Sequence, residues 1–205
     1  MKLVFDVLAE SFLQLALFLL IPFFAWLIFR KKANQPFHQW IGFTKPPVPD
    51  FKKLIIVIII QLLLWTVLIP FTEPIMQYSA TTDYSRDGFN ITAVLCVLLF
   101  SFIKTGLSEE ILFRGFLAKR LINTLGFVKG TIIQAVIFGL LHSFIYLSGC
   151  GILVTVLVVS EAALSGALSV YMNEKIFNGS IIPSWIFHGI CNCIPAFAAF
   201  VFTGV

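Results

Sequence analysis

Long apolar stretches alternate with short polar segments along the chain, and this pattern predicts a bundle of membrane-spanning helices. Several stretches approach about 20 residues, the length that an α-helix needs to cross a bilayer. The cluster from Ser148 to Gly151 interrupts one longer stretch and predicts a turn there. The pattern predicts six spans, at Ser11–Phe29, Leu54–Phe71, Asn90–Ala118, Gly130–Leu147, Ile152–Met172 and Ile181–Thr203.

The loops between these spans differ in charge, which predicts how the chain is oriented. The first loop is basic, and the second contains Glu73, Asp83 and Asp87 against a single Arg86. Loops rich in Lys and Arg remain in the cytoplasm, so the first loop is expected inside and both termini outside. Basic residues in the first, third and fifth loops agree with this orientation: Arg30, Lys31, Lys32, Lys45, Lys52, Lys53, Lys119, Arg120, Lys129 and Lys175.

The composition supports an integral membrane protein in a lipid bilayer. Hydrophobic residues make up 59% of the 205 residues and charged residues only 12%, whereas soluble domains are about a quarter charged. No basic run with interleaved aromatic residues is present, so nucleic acid is not an expected partner. Nothing divides the chain, and we expect one membrane domain over residues 1–205. The four cysteines lie in or beside apolar segments and are interpreted as small buried side chains.

Ionisable residues occur where the pattern calls for apolar ones, on three separate predicted helices. Counted from the cytoplasmic ends at 1.5 Å per residue, Glu109 and Glu110 lie roughly 15 Å deep and His142 roughly 20 Å deep. His188 lies roughly 12 Å deep, with Asn192 somewhat deeper. Such residues cost about 2.5–3.5 kcal/mol each at the bilayer centre and usually mark function. We therefore expect a buried polar cavity between the helices, open toward the cytoplasm.

Spacings of four residues place these side chains on shared helix faces. Glu110 precedes Arg114 by four, which is the favourable order for an ion pair. This pairing would neutralise Glu110 and leave Glu109, about 100° away around the helix, to face another neighbour. Phe138 with His142, and His188 with Asn192, show the same spacing.

Two kinds of hydrolytic chemistry fit these residue types, and a structural role is the alternative. A carboxylate beside an imidazole can act as a general base on water, and a His–Asn face can donate hydrogen bonds to an oxyanion. Glu109, His142 and His188 could instead hold zinc, since two histidines and a glutamate form a catalytic zinc set. Polar residues also join helices structurally, and the Glu110–Arg114 pair alone is compatible with either role.

Three short motifs on these helices resemble those of the CPBP family of intramembrane proteases. This family includes CAAX prenyl endopeptidases and bacterial proteins of bacteriocin processing and self-immunity. The similarity covers about residues 90–200. Its motifs EExxxR, FxxxH and HxxxN are present as Glu109-Glu110-Ile-Leu-Phe-Arg114, Phe138-Gly-Leu-Leu-His142 and His188-Gly-Ile-Cys-Asn192.

The resemblance implies a role for each matched residue. Glu109 and His142 would activate water, and His188 and Asn192 would bind the developing oxyanion. The implied mechanism depends on glutamate and requires no cofactor, although zinc remains possible.

The remaining matched residues have supporting roles in the resemblance. Glu110, Arg114 and Phe138 would stabilise the catalytic helices around the site.

The resemblance also implies a substrate and a location. The expected function is an intramembrane endopeptidase of the bacterial cytoplasmic membrane that cleaves a membrane-associated, prenylated or short peptide from the cytoplasmic side. A non-catalytic immunity or scaffold protein that retains the fold is the alternative. A small transporter ranks last, because no repeated half or pair of broken helices is present.

Two further charged residues lie within the predicted spans, outside the matched motifs. Lys104 could line a water-filled cavity or bind a substrate carboxylate. Glu161 is interpreted as a structural or snorkelling residue near Ser165, Gly166 and Ser169, which permit close helix packing.

Overall fold

A computed structural model describes residues 2–85 and 88–202, and the elements in these ranges are helical. The prediction of an all-α membrane protein is confirmed at this level. The helices are α1 (Lys2–Ala33), α2 (Phe37–Trp40), α3 (Phe51–Thr66), α4 (Thr72–Gln77), α5 (Ala80–Ser85), α6 (Ile91–Leu125), α7 (Phe127–Tyr146), α8 (Gly151–Ile176) and α9 (Ile182–Phe202). A short 3₁₀ turn, Ile69–Phe71, precedes α4.

Within the described residues, four helices are long and apolar enough to cross a membrane: α1, α6, α7 and α8. Helix α3 and the segment Ile69–Gln77 make a fifth span if the bent pair is counted as one. Helix α9 is 21 residues long, but the side chains at its C-terminal end lie outside the described part of the structure. All six predicted spans are largely helical, whereas a count of six membrane crossings and a cavity open to the cytoplasm stay predictions.

The second predicted span is bent near its C-terminal end. Its regular helix begins after Asp50, whose carboxylate accepts the backbone N–H groups of Lys52 and Lys53 at 3.1 and 3.3 Å. The hydrogen bond from the Lys53 side chain holds the pKa of Asp50 below its usual value. The helix stops at Thr66, and the next helical segment is bent by 45°. Pro70 explains the break, since proline disfavours helical geometry at the residue before it and supplies no N–H group.

Helix α6 contains two widened segments of π-helix, Leu99–Leu107 and Glu110–Ala118, on either side of Ser108 and Glu109. Side chains bond to carbonyl groups five residues back in the first of them. Thr105 Oγ1 donates to the Phe100 carbonyl at 3.0 Å, and Ser108 Oγ to that of Ile103 at 3.2 Å. Because π-helical turns often occur at functional sites, their position around Glu109 marks this part of α6.

Small residues bring helices close together around α6. Helices α7 and α8 approach so closely that a Cβ atom on Gly139 would lie 2.5 Å from the Val159 carbonyl oxygen. A Cβ on Gly166 would lie 3.2 Å from the Phe138 ring. Close approach through small residues is a common way to pack membrane helices. As a result, α8 lies in contact with residues predicted to form the site, at Phe138 and Arg114.

The first loop, which the sequence indicated only as basic, packs against α6 and the start of α9. The Gly42 carbonyl accepts the Ile181 N–H at 2.9 Å, and the Thr44 carbonyl accepts Ser180 Oγ at 2.6 Å. At Gly115 in α6, a Cβ would lie 2.6 Å from the Ile41 carbonyl oxygen. These contacts hold the N-terminal end of α9 against the helix that carries the acid pair.

Candidate active site

Glu110 is completely buried and bound from three sides. Its Oε2 accepts the Ser184 hydroxyl at 2.5 Å, and its Oε1 lies 3.2 Å from His188 Nδ1. Arg114 Nε lies 3.4 Å from the same Oε1, and the Glu110 and Arg114 side chains are 0% and 2% exposed. The structure therefore contains the ion pair that their spacing predicts. A charge this deeply buried is stable only when it is paired and hydrogen-bonded, and Glu110 is both.

The imidazole of His188 lies between the two acids. Its Nε2 is 3.8 Å from Glu109 Oε2, and the two side chains are 15% and 19% exposed. Glu109 therefore does not turn to a different neighbour: both acids approach one imidazole, from its two nitrogens. A distance of 3.8 Å exceeds a direct hydrogen bond, and such a separation can be bridged by a water molecule. Glu109 is the acid that keeps access to solvent or substrate.

The Phe138 ring is in contact with side chains from three helices: Arg114 of α6, His142 of α7 and His188 of α9. The Arg114 guanidinium carbon lies 3.9 Å from its centroid, the distance of a cation–π contact. The centroids of His142 and His188 lie 4.9 and 6.3 Å from it. Phe138 thus positions both imidazoles and the guanidinium.

The tautomer of His142 follows from its hydrogen bond. Its Nδ1 lies 3.0 Å from the carbonyl oxygen of Phe138, one turn earlier in α7. A carbonyl can only accept, so Nδ1 carries the proton and the neutral ring has a free lone pair on Nε2. That nitrogen can accept a proton from water. The structure shows no hydrogen bond or ion pair between the described side chains of His142 and Glu109.

Asn192 is anchored to α6 instead of being free. Its Nδ2 donates to Thr105 Oγ1 at 2.9 Å, and the second N–H of the amide is left for another acceptor. Trp185 Nε1 donates to the Phe102 carbonyl at 2.6 Å and links the same two helices. These bonds fix the register of α9, which places His188 beside the acid pair.

Ser184 and Thr105 are site residues that the sequence interpretation missed. Each precedes a predicted site residue by four positions on the same helix: Ser184 precedes His188, and Thr105 precedes Glu109. A polar residue one turn from a catalytic candidate is therefore the signal that could have identified them.

Replacing Ser184 with alanine is expected to destabilise the protein by about 1.5–3 kcal/mol, because a buried carboxylate loses a charge-assisted hydrogen bond. Thermal unfolding in detergent measures this. Ser143→Ala is the control, since the Ser143 hydroxyl bonds to the Leu140 carbonyl within its own helix, at 2.7 Å, and to no other group in the described part of the chain. Equal melting temperatures for the two variants would contradict the role of Ser184.

The two remaining intramembrane charges have protein partners. Lys104 Nζ donates to Glu10 Oε2 of α1 at 2.6 Å, so its ammonium group is occupied and the structure does not support a substrate-binding role. Glu161 accepts three hydrogen bonds, from Gln61, Trp65 and Ser165, in keeping with a structural role.

The zinc alternative requires Glu109, His142 and His188 to converge on one point. Across residues 2–85 and 88–202, no three His, Cys, Asp or Glu side chains lie close enough together to hold a metal ion. The zinc alternative therefore gains no support from this geometry.

Comparison with known families gives one match that covers half of the chain. Residues 90–194 match the family model described as type II CAAX prenyl endopeptidase Rce1-like. The matched region contains the described site residues of α6, α7 and α9. No curated protein matches the chain significantly, and no solved structure does.

The apolar helices and the family match together indicate an integral membrane protein that belongs to a family of proteases. The chain belongs to the type II CAAX prenyl endopeptidase Rce1-like family, which confirms the resemblance found from the three motifs. Family membership indicates proteolytic activity in general.

Proposed function

We propose that the protein is an intramembrane endopeptidase that uses water, activated by Glu109 and His142, to hydrolyse a peptide bond. The substrate is a membrane-associated, prenylated or short peptide. The observation that carries the proposal is the unequal environment of the two acids. Glu110 is buried and bound by Arg114 and Ser184, whereas Glu109 keeps 19% of its side chain exposed beside His188.

In the proposed reaction, Glu109 removes a proton from water, and the water oxygen attacks the carbonyl carbon. The negative charge moves onto the carbonyl oxygen of the tetrahedral intermediate. The C–N bond then breaks, the proton passes to the leaving nitrogen, and the products are a carboxylate and an amine. His142 Nε2 has a free lone pair that can accept a hydrogen bond from the same water and orient it.

His188 and Asn192 supply the oxyanion site in this proposal. Nδ1 of His188 lies 3.2 Å from Glu110 Oε1, and Nε2 is the nitrogen that donates to the oxyanion. Asn192 donates one N–H to Thr105 and has a second for the oxyanion. Preformed donors of this kind commonly provide the largest part of catalysis in acyl transfer.

We further propose six spans, in a bacterial cytoplasmic membrane, with the site reached from the cytoplasmic side. The orientation predicts that Lys45→Cys, in the exposed first loop, is protected from an impermeant maleimide in intact cells. Glu73→Cys, exposed in the second loop, should be labelled. The unmodified chain, with its four free cysteines, gives the background. The opposite pattern would reverse the orientation.

The function is tested by comparing the peptides of cells that express the wild type, the Glu109→Gln variant or neither, at matched protein levels. A product that appears only with the wild type identifies both the substrate and the cleaved bond. Identical peptide profiles, with the host phenotype preserved by Glu109→Gln, would favour a non-catalytic scaffold. Treating the active protein with a chelator and measuring bound metal by mass spectrometry determines whether a metal takes part.

A further inference from the structure

A second polar cluster lies within the membrane bundle, centred on Glu161 of α8. Its Oε1 accepts Gln61 Nε2 at 2.8 Å and Trp65 Nε1 at 3.0 Å, both from α3. It also accepts the Ser165 hydroxyl at 2.5 Å. The three donors are all neutral, and they all bond to one of the two carboxylate oxygens.

The carboxylate of Glu161 has no cationic partner among the described residues. Lys104 pairs with Glu10, and Arg114 with Glu110. Glu109 lies beside His188, which also borders Glu110. Ionisable residues inside a membrane normally pair with one another or mark a functional path. Oε2 of Glu161 is therefore available to a cation from outside the chain.

Glu161 lies close to the proposed active site. The next residue, Ala162, packs in the same buried cluster as Phe138. Five residues further along α8, Gly166 faces the Arg114 guanidinium, where a Cβ would lie 3.4 Å from Nη2. Five residues correspond to about 7.5 Å along a helix. Along the axis of α8, Glu161 is thus about one and a half turns from the residue that faces Arg114.

The hydrogen bonds of the carboxylate come from α3 and from its own helix. Its charge also acts over a longer range on Tyr146 in α7 and Cys191 in α9. Tyr146 lies one turn beyond His142, and Cys191 precedes Asn192. Glu161 is partly exposed, so a bound molecule can reach it.

We propose that Glu161 is a specificity-determining residue that binds a cationic group of the peptide substrate through Oε2. The group is an ammonium or guanidinium, from a basic side chain or from the peptide's N-terminus. This inference rests on the proposed function, because it assumes that a peptide occupies the site between α6, α7 and α9. Gln61, Trp65 and Ser165 hold the carboxylate in place and leave its second oxygen for the ligand.

The charge of Glu161 can be removed without removing its contacts. In Glu161→Gln the amide keeps an oxygen acceptor for the three donors and loses the negative charge. Gln61→Leu does the reverse, since it removes one supporting hydrogen bond and keeps the charge. Glu73→Gln, at an exposed acid of α4, is the control for a general change in charge.

Binding is measured by fluorescence anisotropy in the hydrolysis-deficient Glu109→Gln background, with four versions of one labelled apolar peptide of ten residues. The peptide has a central lysine or norleucine, and a free or acetylated N-terminus. We expect the peptide that carries the recognised cationic group to bind about tenfold more tightly than the matched peptide without it, as for a hydrogen bond between charged groups. Glu161→Gln should abolish this preference, Gln61→Leu should reduce it without abolishing it, and Glu73→Gln should keep it.

The comparison of lysine with norleucine, and of the free with the acetylated N-terminus, identifies which group supplies the cation. A preference for lysine that Glu161→Gln removes assigns the site to a basic side chain, and a preference for the free N-terminus that it removes assigns the site to the α-ammonium group. A preference that survives Glu161→Gln, or no preference in any version, would overturn the proposal. Because binding is measured without hydrolysis, this failure is distinct from a failure to find a cleaved product in cells.

Discussion

Glutamine in place of Glu109 is expected to lower kcat for peptide hydrolysis by about 10²–10⁴-fold, the range that a positioned general base contributes. Glutamine has nearly the same shape but cannot remove a proton from water. The fold should survive, because Glu109 is partly exposed and its nearest ionic partner, His188, is 3.8 Å away. Single-turnover cleavage of the product-forming peptide by purified protein measures this effect.

Two further variants show whether a loss of activity is specific to the base at position 109. Glu73→Gln removes an exposed acid far along the chain from the site and should leave kcat unchanged. Glu109→Asp keeps a base but shortens its reach, so we expect partial activity. Wild-type kcat in Glu109→Gln would exclude Glu109 as the base and direct attention to His142.

Methionine in place of Arg114 is expected to cause the largest loss of stability, about 3–5 kcal/mol, because it leaves a buried carboxylate without its counter-charge. Glu110 is 0% exposed and keeps only Ser184 and His188 as partners after the change. The cation–π contact with Phe138 is lost as well. The free energy of unfolding in detergent, or the melting temperature, measures the effect.

The double variant Arg114→Met/Glu110→Gln separates the lost charge pair from lost packing. With both charges removed, much of the stability should return, since breaking a buried pair costs more than replacing both members. Lys53→Met is the matched control: its pair with Asp50 is 3.1 Å long but exposed, and such pairs contribute about 0–1 kcal/mol. A double variant no more stable than Arg114→Met would mean that packing of the guanidinium dominates.

Much of the helical architecture could be predicted from hydropathy, because each span must satisfy its own backbone in lipid. The turn at Ser148–Gly151 and the helices on both sides of it are found as expected. The bend inside the second span was not predicted: Pro70 lies where the regular helix is interrupted, before the apolar stretch finishes. Hydropathy averages over many residues and does not register one missing N–H group.

Contacts within one helix of the candidate site were predictable from the sequence, whereas contacts between helices were not. The spacing of four identified the Glu110–Arg114 pair, because two residues of one helix have a fixed relative position. The approach of Glu109 and Glu110 to one imidazole was not predictable from 100° steps. The π-helical segments around Glu109 change the angle between successive side chains.

By itself the sequence determined the class of protein, the apolar helices and the polar residues that three of them carry. Those properties are local, since they depend on hydropathy over about 20 residues and on spacings within one helix. Only the tertiary structure decided which carboxylate is enclosed, which imidazole stands between the acids, and that Lys104 and Glu161 meet partners from α1 and α3. These partners are roughly 100 positions away in the chain, and no local pattern encodes how helices rotate and slide against one another when they pack.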